Sequence, residues 1–306
     1  MNSSDSPIQP EASSTTSEAT LGLLYERASV RAYLDRDIDP ATLVAVLRAG
    51  VHAPTGGNLQ PWSIIKIRQA DVRRRLADMC EQPFIGAAPV NLLFCLDFRR
   101  LQRWAELEVA PFTGTASFRH FWIGFQDVII AAQNICTAAD AVGLGSVYIG
   151  TVLEFIPDLQ KMFELPPGVC PVVLLVMGYP RVRPEPRPKL PVEVVVHDER
   201  YHEMEDRALL DAFEAKYPTR NNPERQMELT DERRERIAES CRQAHGEEFA
   251  RKCLEYLDRQ GYVRPVHRYF GLHYRGNKMP DSNDIFIQQL RECGFGCFDK
   301  WTPVGD

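Results

Sequence analysis

The chain has 306 residues, 44% hydrophobic and 25% charged, with a formal net charge of −6 and a pI near 5.7. That is the composition of a soluble globular protein long enough for one large or two modest cores. The acidic balance argues against nucleic acid as a partner.

No membrane span is expected. The most apolar long stretch, residues 121–144, carries Gln126, Asp127, Gln133, Asn134 and Asp140, which are costly in lipid. It reads instead as a buried core or interface helix. The 8 cysteines are scattered without a CxxC pair, so no disulfide framework is expected and a reducing cytoplasm is the expected compartment. Cys293 and Cys297, with His267 and His273 upstream, fit no standard zinc spacing and read as a helix end plus a loop.

Residues 1–20 are rich in Ser, Thr, Pro and Glu. They lack the apolar and basic regions of a secretory signal and read as a disordered arm. Next comes Glu26-Arg27-Ala28-Ser29-Val30-Arg31-Ala32-Tyr33, with two cations and a hydroxyl. Asp39-Pro40 predicts a helix start, and Leu43, Val46, Leu47 and Val51 continue it at helical spacing up to Ala53-Pro54. A turn, Pro54-Thr55-Gly56-Gly57-Asn58, leads to a short strand at 63–67 and a helix marked by Val72, Leu76, Met79 and Cys80.

The runs PVNLLFCLD (89–97) and CPVVLLVMG (170–178) predict strands buried on both faces. Between them lie a long helix, about 121–142, capped by Gly143, then a strand at 147–150 and a helix around 159–163. Residues 181–191 are Pro-rich and basic, with Arg187 and Lys189. Beyond Val196 the composition turns polar. Helices are expected around 209–213, 231–245, 247–259 and 285–293, with a polar loop at 219–228 that holds Arg220 and Arg225. The fold class is α+β, a central sheet between helices.

The two basic segments each suit a phosphate monoester. Neither a G-x-G-x-x-G fingerprint nor a Walker loop is present, so cofactor phosphate would have to be held by side chains. His120, His197 and His202 have no Ser or Cys motif around them and read as structural or surface residues.

The order of these features is specific. Arg-Ala-Ser-Val-Arg (27–31) precedes Ala-Pro-Thr-Gly-Gly-Asn-Leu-Gln-Pro-Trp (53–62) and Glu81-Gln82-Pro83. Asp127 and Ala131-Ala132-Gln133-Asn134 follow, then Gly143-Leu144-Gly145-Ser146-Val147-Tyr148-Ile149-Gly150, Gly178-Tyr179-Pro180 and the Arg187/Lys189 pair. The series resembles the FMN-dependent nitroreductase superfamily, most closely the branch of NADPH-dependent oxygen-insensitive nitroreductase A and flavin reductase P. The similarity runs from about Leu24 to Gly261 and includes Thr-Arg-Asn-Asn-Pro-Glu-Arg (219–225).

The resemblance implies a mostly antiparallel sheet in an intertwined homodimer, with FMN bound non-covalently between the subunits. It gives Arg27, Ala28, Ser29 and Arg31 to the phosphate and ribityl chain, with Arg187 and Lys189 closing the phosphate site. Thr55 and Gly56 would line the flavin ring, Gln82 would bond near its polar edge, and Tyr148, Ile149 and Gly150 would cover a ring face through their backbone. Arg220 and Arg225 match a mobile basic loop for the NADPH phosphates.

The implied reaction is NADPH-driven, ping-pong reduction of a nitroaromatic, a quinone or free flavin. The alternatives are a dehalogenase-like or ene-reducing member, or a non-catalytic FMN-binding redox module. No catalytic side chain and no metal are expected, because the chemistry would sit on FMN. Domains are expected at 1–20 (disordered arm), 21–200 (FMN-binding core), 201–262 (helical excursion with the mobile basic loop) and 263–306 (a C-terminal extension of unknown role). Ala28 is smaller than the residue this branch often has there, which leaves the contact at that position to the backbone.

Overall fold

The central sheet is written in the two continuous apolar runs. The computed structural model describes residues 14–303. Its strands are β1 (Trp62–Ile67), β2 (Val90–Asp97), β3 (Gly145–Ile149) and β4 (Val169–Gly178). They form a sheet in the order β1-β2-β4-β3 with every neighbouring pair antiparallel. All residues of β2 and β4 are buried, as their unbroken hydrophobicity predicts. One irregularity lies where Phe94 and Cys95 of β2 pair with Val173 and Pro171. Proline cannot donate to the ladder, and the extra residue, Val172, makes a bulge there.

Before and between the strands lie α1 (Ser14–Tyr25), α2 (Pro40–Val51), α3 (Ala70–Met79), α4 (Phe84–Ala87), α5 (Arg99–Leu107), α6 (Phe118–Ala141) and α7 (Ile156–Met162). Leu92, Phe94 and Leu96 turn one face of the sheet towards the apolar residues of α2 and α6. Leu93, Leu174 and Val176 turn the other towards Leu76, Ile85 and Leu159. The alternation is the two-residue period of a strand.

Helix α2 starts where Asp39-Pro40 predicts, with the Asp39 carboxylate accepting the amide of Thr42 at 3.0 Å. Helix α6 starts at Ser117, whose hydroxyl accepts the amide of His120, and ends before Gly143, which has φ of 79°. Its buried face is mostly small: Gly124, Val128, Ala131, Ala132, Cys136 and Ala139. A Cβ on Gly124 would come within 2.6 Å of Leu96 Cδ1, so glycine sets how closely helix and sheet approach.

The disordered arm expected over 1–20 is corrected for residues 14–20, which are helical; residues 1–13 lie outside the described residues. The Ser/Thr-rich opening gives way to Glu18-Ala19 and Leu21, good helix formers, and α1 lies against α6.

The chain up to Pro186, together with the stretch from Ile285 on, forms one compact unit; Arg187–Asp284 forms a second. The second holds α8 (Val192–Val195), α9 (Asp206–Lys216), α10 (Asp231–His245), α11 (Glu247–Gln260) and α12 (Pro265–His267), with a π-turn at Arg268–His273. A two-stranded ladder joins β5 (Met227–Glu228) to β6 (Tyr262–Val263). Ile237, Leu257 and Val263 form its small core.

The last helix, α13 (Asn283–Glu292), leads back to the first unit, where Leu290, Cys293, Phe295 and Cys297 join the sheet core. Phe295 is fully buried, 5.7 Å from the Phe98 ring and 5.5 Å from that of Phe121. Residues near the end of the chain are therefore part of the core. Cys293 and Cys297 sit there as apolar thiols, while His267 and His273 belong to the other unit.

Candidate functional site

Residues 27–34 have no regular structure of their own, yet they are stitched to the sheet. Val30 N–H donates to Ser146 O at 3.0 Å and Leu34 N–H to Tyr179 O at 2.9 Å, while Arg181 N–H donates to Ala32 O at 2.9 Å. Tyr33 pairs with Pro180 as an isolated bridge. The Tyr33 hydroxyl donates to Val30 O at 2.7 Å, and burial raises its pKa above the ordinary phenol range. Gly145 makes room for the segment, since a Cβ there would lie 2.4 Å from Val30 Cγ2. Arg27–Arg31 and Gly178–Pro180, far apart in sequence, thus meet on one edge of the sheet.

Within this segment Arg27 Nη1 donates to Ser29 Oγ at 3.4 Å. Arg27 Nε and Nη2 are shut away from solvent and have no hydrogen-bond partner. Buried donors of a cation are costly to leave unmet, and an anion placed against them would satisfy both. The guanidinium carbon lies 5.9 Å from the centroid of the Tyr148 ring. Ala28 is buried, so its contribution is through the backbone, and Arg31 is exposed.

The turn after α2 is framed by charge. Asp127 of α6 accepts Thr55 Oγ1–H at 2.8 Å and Gly56 N–H at 3.1 Å. The Thr55 oxygen in turn accepts Gln60 N–H at 3.2 Å. Arg100 Nη2 closes the far side by donating to Gln60 O at 2.8 Å and Trp62 O at 2.6 Å. Gly57, Asn58 and Gln60 all have positive φ, a shape suited to glycine and asparagine.

Gln82 Nε2 donates to Thr151 Oγ1 at 3.2 Å, which places it beside the end of β3 and Gly150. At that strand end Ile149 is buried, Tyr148 half-buried and Gly150 exposed. The Tyr148 hydroxyl donates to Gln133 Oε1 of α6 at 3.3 Å, and Cys136 Sγ lies 3.2 Å from Ser146 Oγ. The Tyr148 phenol is raised in pKa, chiefly by burial.

The first unit therefore brings Arg27 and Ser29 to Tyr148 and Gln82 to the end of β3. It fixes Thr55 and Gly56 on α6, the helix that carries Gln133. Sequence reading missed Thr151, Arg100 and the side-chain role of Gln133. It also missed Arg183, which pairs with buried Asp140 at 2.7 Å and donates to Leu144 O at 2.8 Å, pinning the chain just before residue 187.

Arg187 and Lys189 are exposed and open the second unit. Arg220 and Arg225 are exposed in the same unit. Their loop is anchored at its start, since Glu214 accepts the amides of Thr219 at 2.7 Å and Arg220 at 2.5 Å while pairing with buried Arg264 at 3.1 Å. Among the described residues no helix is long and apolar enough to cross a membrane.

Comparison with known proteins fits this geometry. The model of the nitroreductase family matches residues 24–179. The chain is 29% identical to an oxygen-insensitive NADPH nitroreductase of Salmonella typhimurium, over 80% of this chain and 98% of that protein. It is 33% identical to a Bacillus subtilis FMN reductase (NAD(P)H), over 58% and 72% of the two chains. Among solved structures it is similar to nitroreductase A of Vibrio parahaemolyticus, with a TM-score of 0.62 at 28% identity over 79% of this chain and 97% of that one.

Proposed function

The chain belongs to the nitroreductase family as an NAD(P)H-dependent enzyme, and from that premise we propose that it is a homodimer that binds FMN non-covalently and uses NADPH to reduce nitroaromatics, quinones or free flavin. The observation that carries the cofactor assignment is the pair of buried, partnerless donors on Arg27, beside Ser29 and below Arg31 in the chain. A doubly charged phosphate monoester is the group such a set would hold.

When bound, FMN would supply the hydride chemistry that links NADPH to an acceptor. The protein's part is binding and orientation. Arg27, Ser29 and Arg31, with the Ala28 backbone, would hold the phosphate and ribityl chain, and Arg187 and Lys189 would close over it. Thr55 and Gly56, fixed by Asp127, would line the ring, with Gln82 at its polar edge. The backbone of Tyr148, Ile149 and Gly150 would cover one ring face. Arg220 and Arg225 would meet the phosphates of NADPH.

The dimer has its own support. Phe118, Trp122, Phe125 and Ile129 are all exposed and recur at helical spacing along α6. A second copy covering that stripe would bury a continuous apolar face.

The test is a visible spectrum followed by turnover. Purified protein should show flavin bands released by heat, and it should oxidise NADPH with a nitroaromatic, quinone or flavin acceptor in a parallel-line kinetic pattern. A colourless protein that takes up no added FMN overturns the proposal. Bound FMN that NADPH does not bleach in stopped flow would make the chain a binding module instead.

A further inference from the structure

What holds Arg27 is a hydroxyl and a ring: Ser29 Oγ at 3.4 Å, and the Tyr148 face at 5.9 Å from the guanidinium carbon. This choice of partners has a chemical meaning. A carboxylate would hold a guanidinium firmly but would neutralise it and occupy its donors. An aromatic face orients the cation through its quadrupole and leaves the charge and the in-plane N–H groups available. Arg27 Nε and Nη2 are in that state, buried and without a partner.

The ring is itself fixed. Gln133 Nε2 donates to Thr137 Oγ1 at 3.2 Å, which directs the amide oxygen of Gln133 to accept the Tyr148 hydroxyl at 3.3 Å. Both Gln133 and Thr137 sit on α6, one turn apart. A relay thus runs from the central helix through Gln133 and the Tyr148 ring to the guanidinium.

We propose that Tyr148, held by Gln133, is a positioning residue that aims Arg27 at the phosphate of FMN and so lets the site distinguish FMN from a flavin without phosphate. The inference rests on the flavin reading above and adds to it. There Tyr148 contributes backbone to a ring face; here its side chain acts at the opposite end of the cofactor, through Arg27. The ring is needed for the cation, and the hydroxyl for holding the ring.

The experiment titrates apo-protein with FMN and, separately, with riboflavin, following the quenching of flavin fluorescence. Tyr148→Leu should weaken FMN by about threefold to tenfold and leave riboflavin unchanged. Tyr148→Phe keeps the ring and should retain most of the preference for FMN, which also guards against a folding defect in the leucine variant. In an Arg27→Leu background, Tyr148→Leu should bring no additional loss specific to FMN. Equal weakening of both flavins by Tyr148→Leu, or FMN binding unchanged by it, overturns the inference while leaving the flavin reading intact. A wild-type apo-protein that binds neither flavin overturns the flavin reading, and this inference with it.

Discussion

Asp127 and Thr55 stand 72 positions apart in the chain, yet the carboxylate of one accepts the hydroxyl of the other at 2.8 Å. The same oxygen takes the Gly56 amide at 3.1 Å, so one buried charge on the central helix sets the shape of the turn. Asp127→Ala removes both bonds and leaves two donors unmet. We expect a loss of about 2–3 kcal/mol, the scale of hydrogen bonds to a charged group. Urea unfolding followed by circular dichroism checks the stability, and weaker flavin uptake should accompany it. An unchanged midpoint would show that the turn holds its shape without the helix.

Gly145 permits close contact between β3 and the segment that carries Arg27. A Cβ at this position would sit 2.4 Å from Val30 Cγ2. Gly145→Ala should therefore cost about 1–3 kcal/mol as overpacking and displace Arg27 from Tyr148. Trimming the neighbour with Val30→Ala in the same chain should recover part of both stability and flavin affinity. No recovery in the double variant would place the strain elsewhere.

The basic loop of the second unit carries the preference for NADPH in our reading. Arg220→Ala with Arg225→Ala should raise the KM for NADPH by about threefold to tenfold, modest because exposed charges are screened. The KM for NADH and the kcat with either nucleotide should stay close to wild type. Equal effects on the two nucleotides would remove these arginines from 2′-phosphate recognition.

Phe295 should behave as a core residue despite its position near the end of the sequence. It is fully buried against Phe98 and Phe121. Phe295→Ala should cost about 3–5 kcal/mol, read as a lower urea midpoint. A loss below 1 kcal/mol would mean that the last residues only decorate the sheet.

Stability should also fall in alkali. The Cys95 thiol is fully buried, and burial first, then Asp97 and Cys293, pushes its pKa up to about 12 from 9.0. Cys170 is pushed up as well, through its contact with Cys293 and through burial. A group whose folded pKa is raised contributes stability that is fully present below the unfolded value. That contribution is lost as pH rises through the folded one, because the unfolded chain gives up its proton first. The urea midpoint should hold near pH 8 and decline between pH 9 and pH 11. Cys95→Ala should flatten the decline, and an equal slope in that variant would assign the effect to other groups.

Much of the architecture could be read locally. Asp39-Pro40 caps a helix by its own chemistry, and the runs at 90–97 and 169–178 are apolar enough to define buried strands without any knowledge of their neighbours. The long helix could be read from its apolar length and from Gly143, which ends it. The links between elements could not. Nothing in the residues around Asp127 names Thr55 as its partner, and nothing around Tyr148 says that its ring lies under Arg27. The tail was illegible for the same reason. Phe295 and Cys297 are too few and too spaced by glycine to signal a core segment, and only the sheet they cover gives them that role. At residues 14–20 composition misled, since Ser and Thr outweighed the helix formers among them.

The first unit is left at Pro186 and re-joined at Ile285. Leu290, Cys293 and Phe295 then fill space beside strands made much earlier in synthesis. During translation the sheet must wait, with its apolar face open, while the whole intervening unit is produced. A nascent chain paused in that interval exposes a surface of the kind chaperones recognise. A single protease cut within 187–284 would leave two pieces that both contribute to one core, so nicking and dissociation should be separate events.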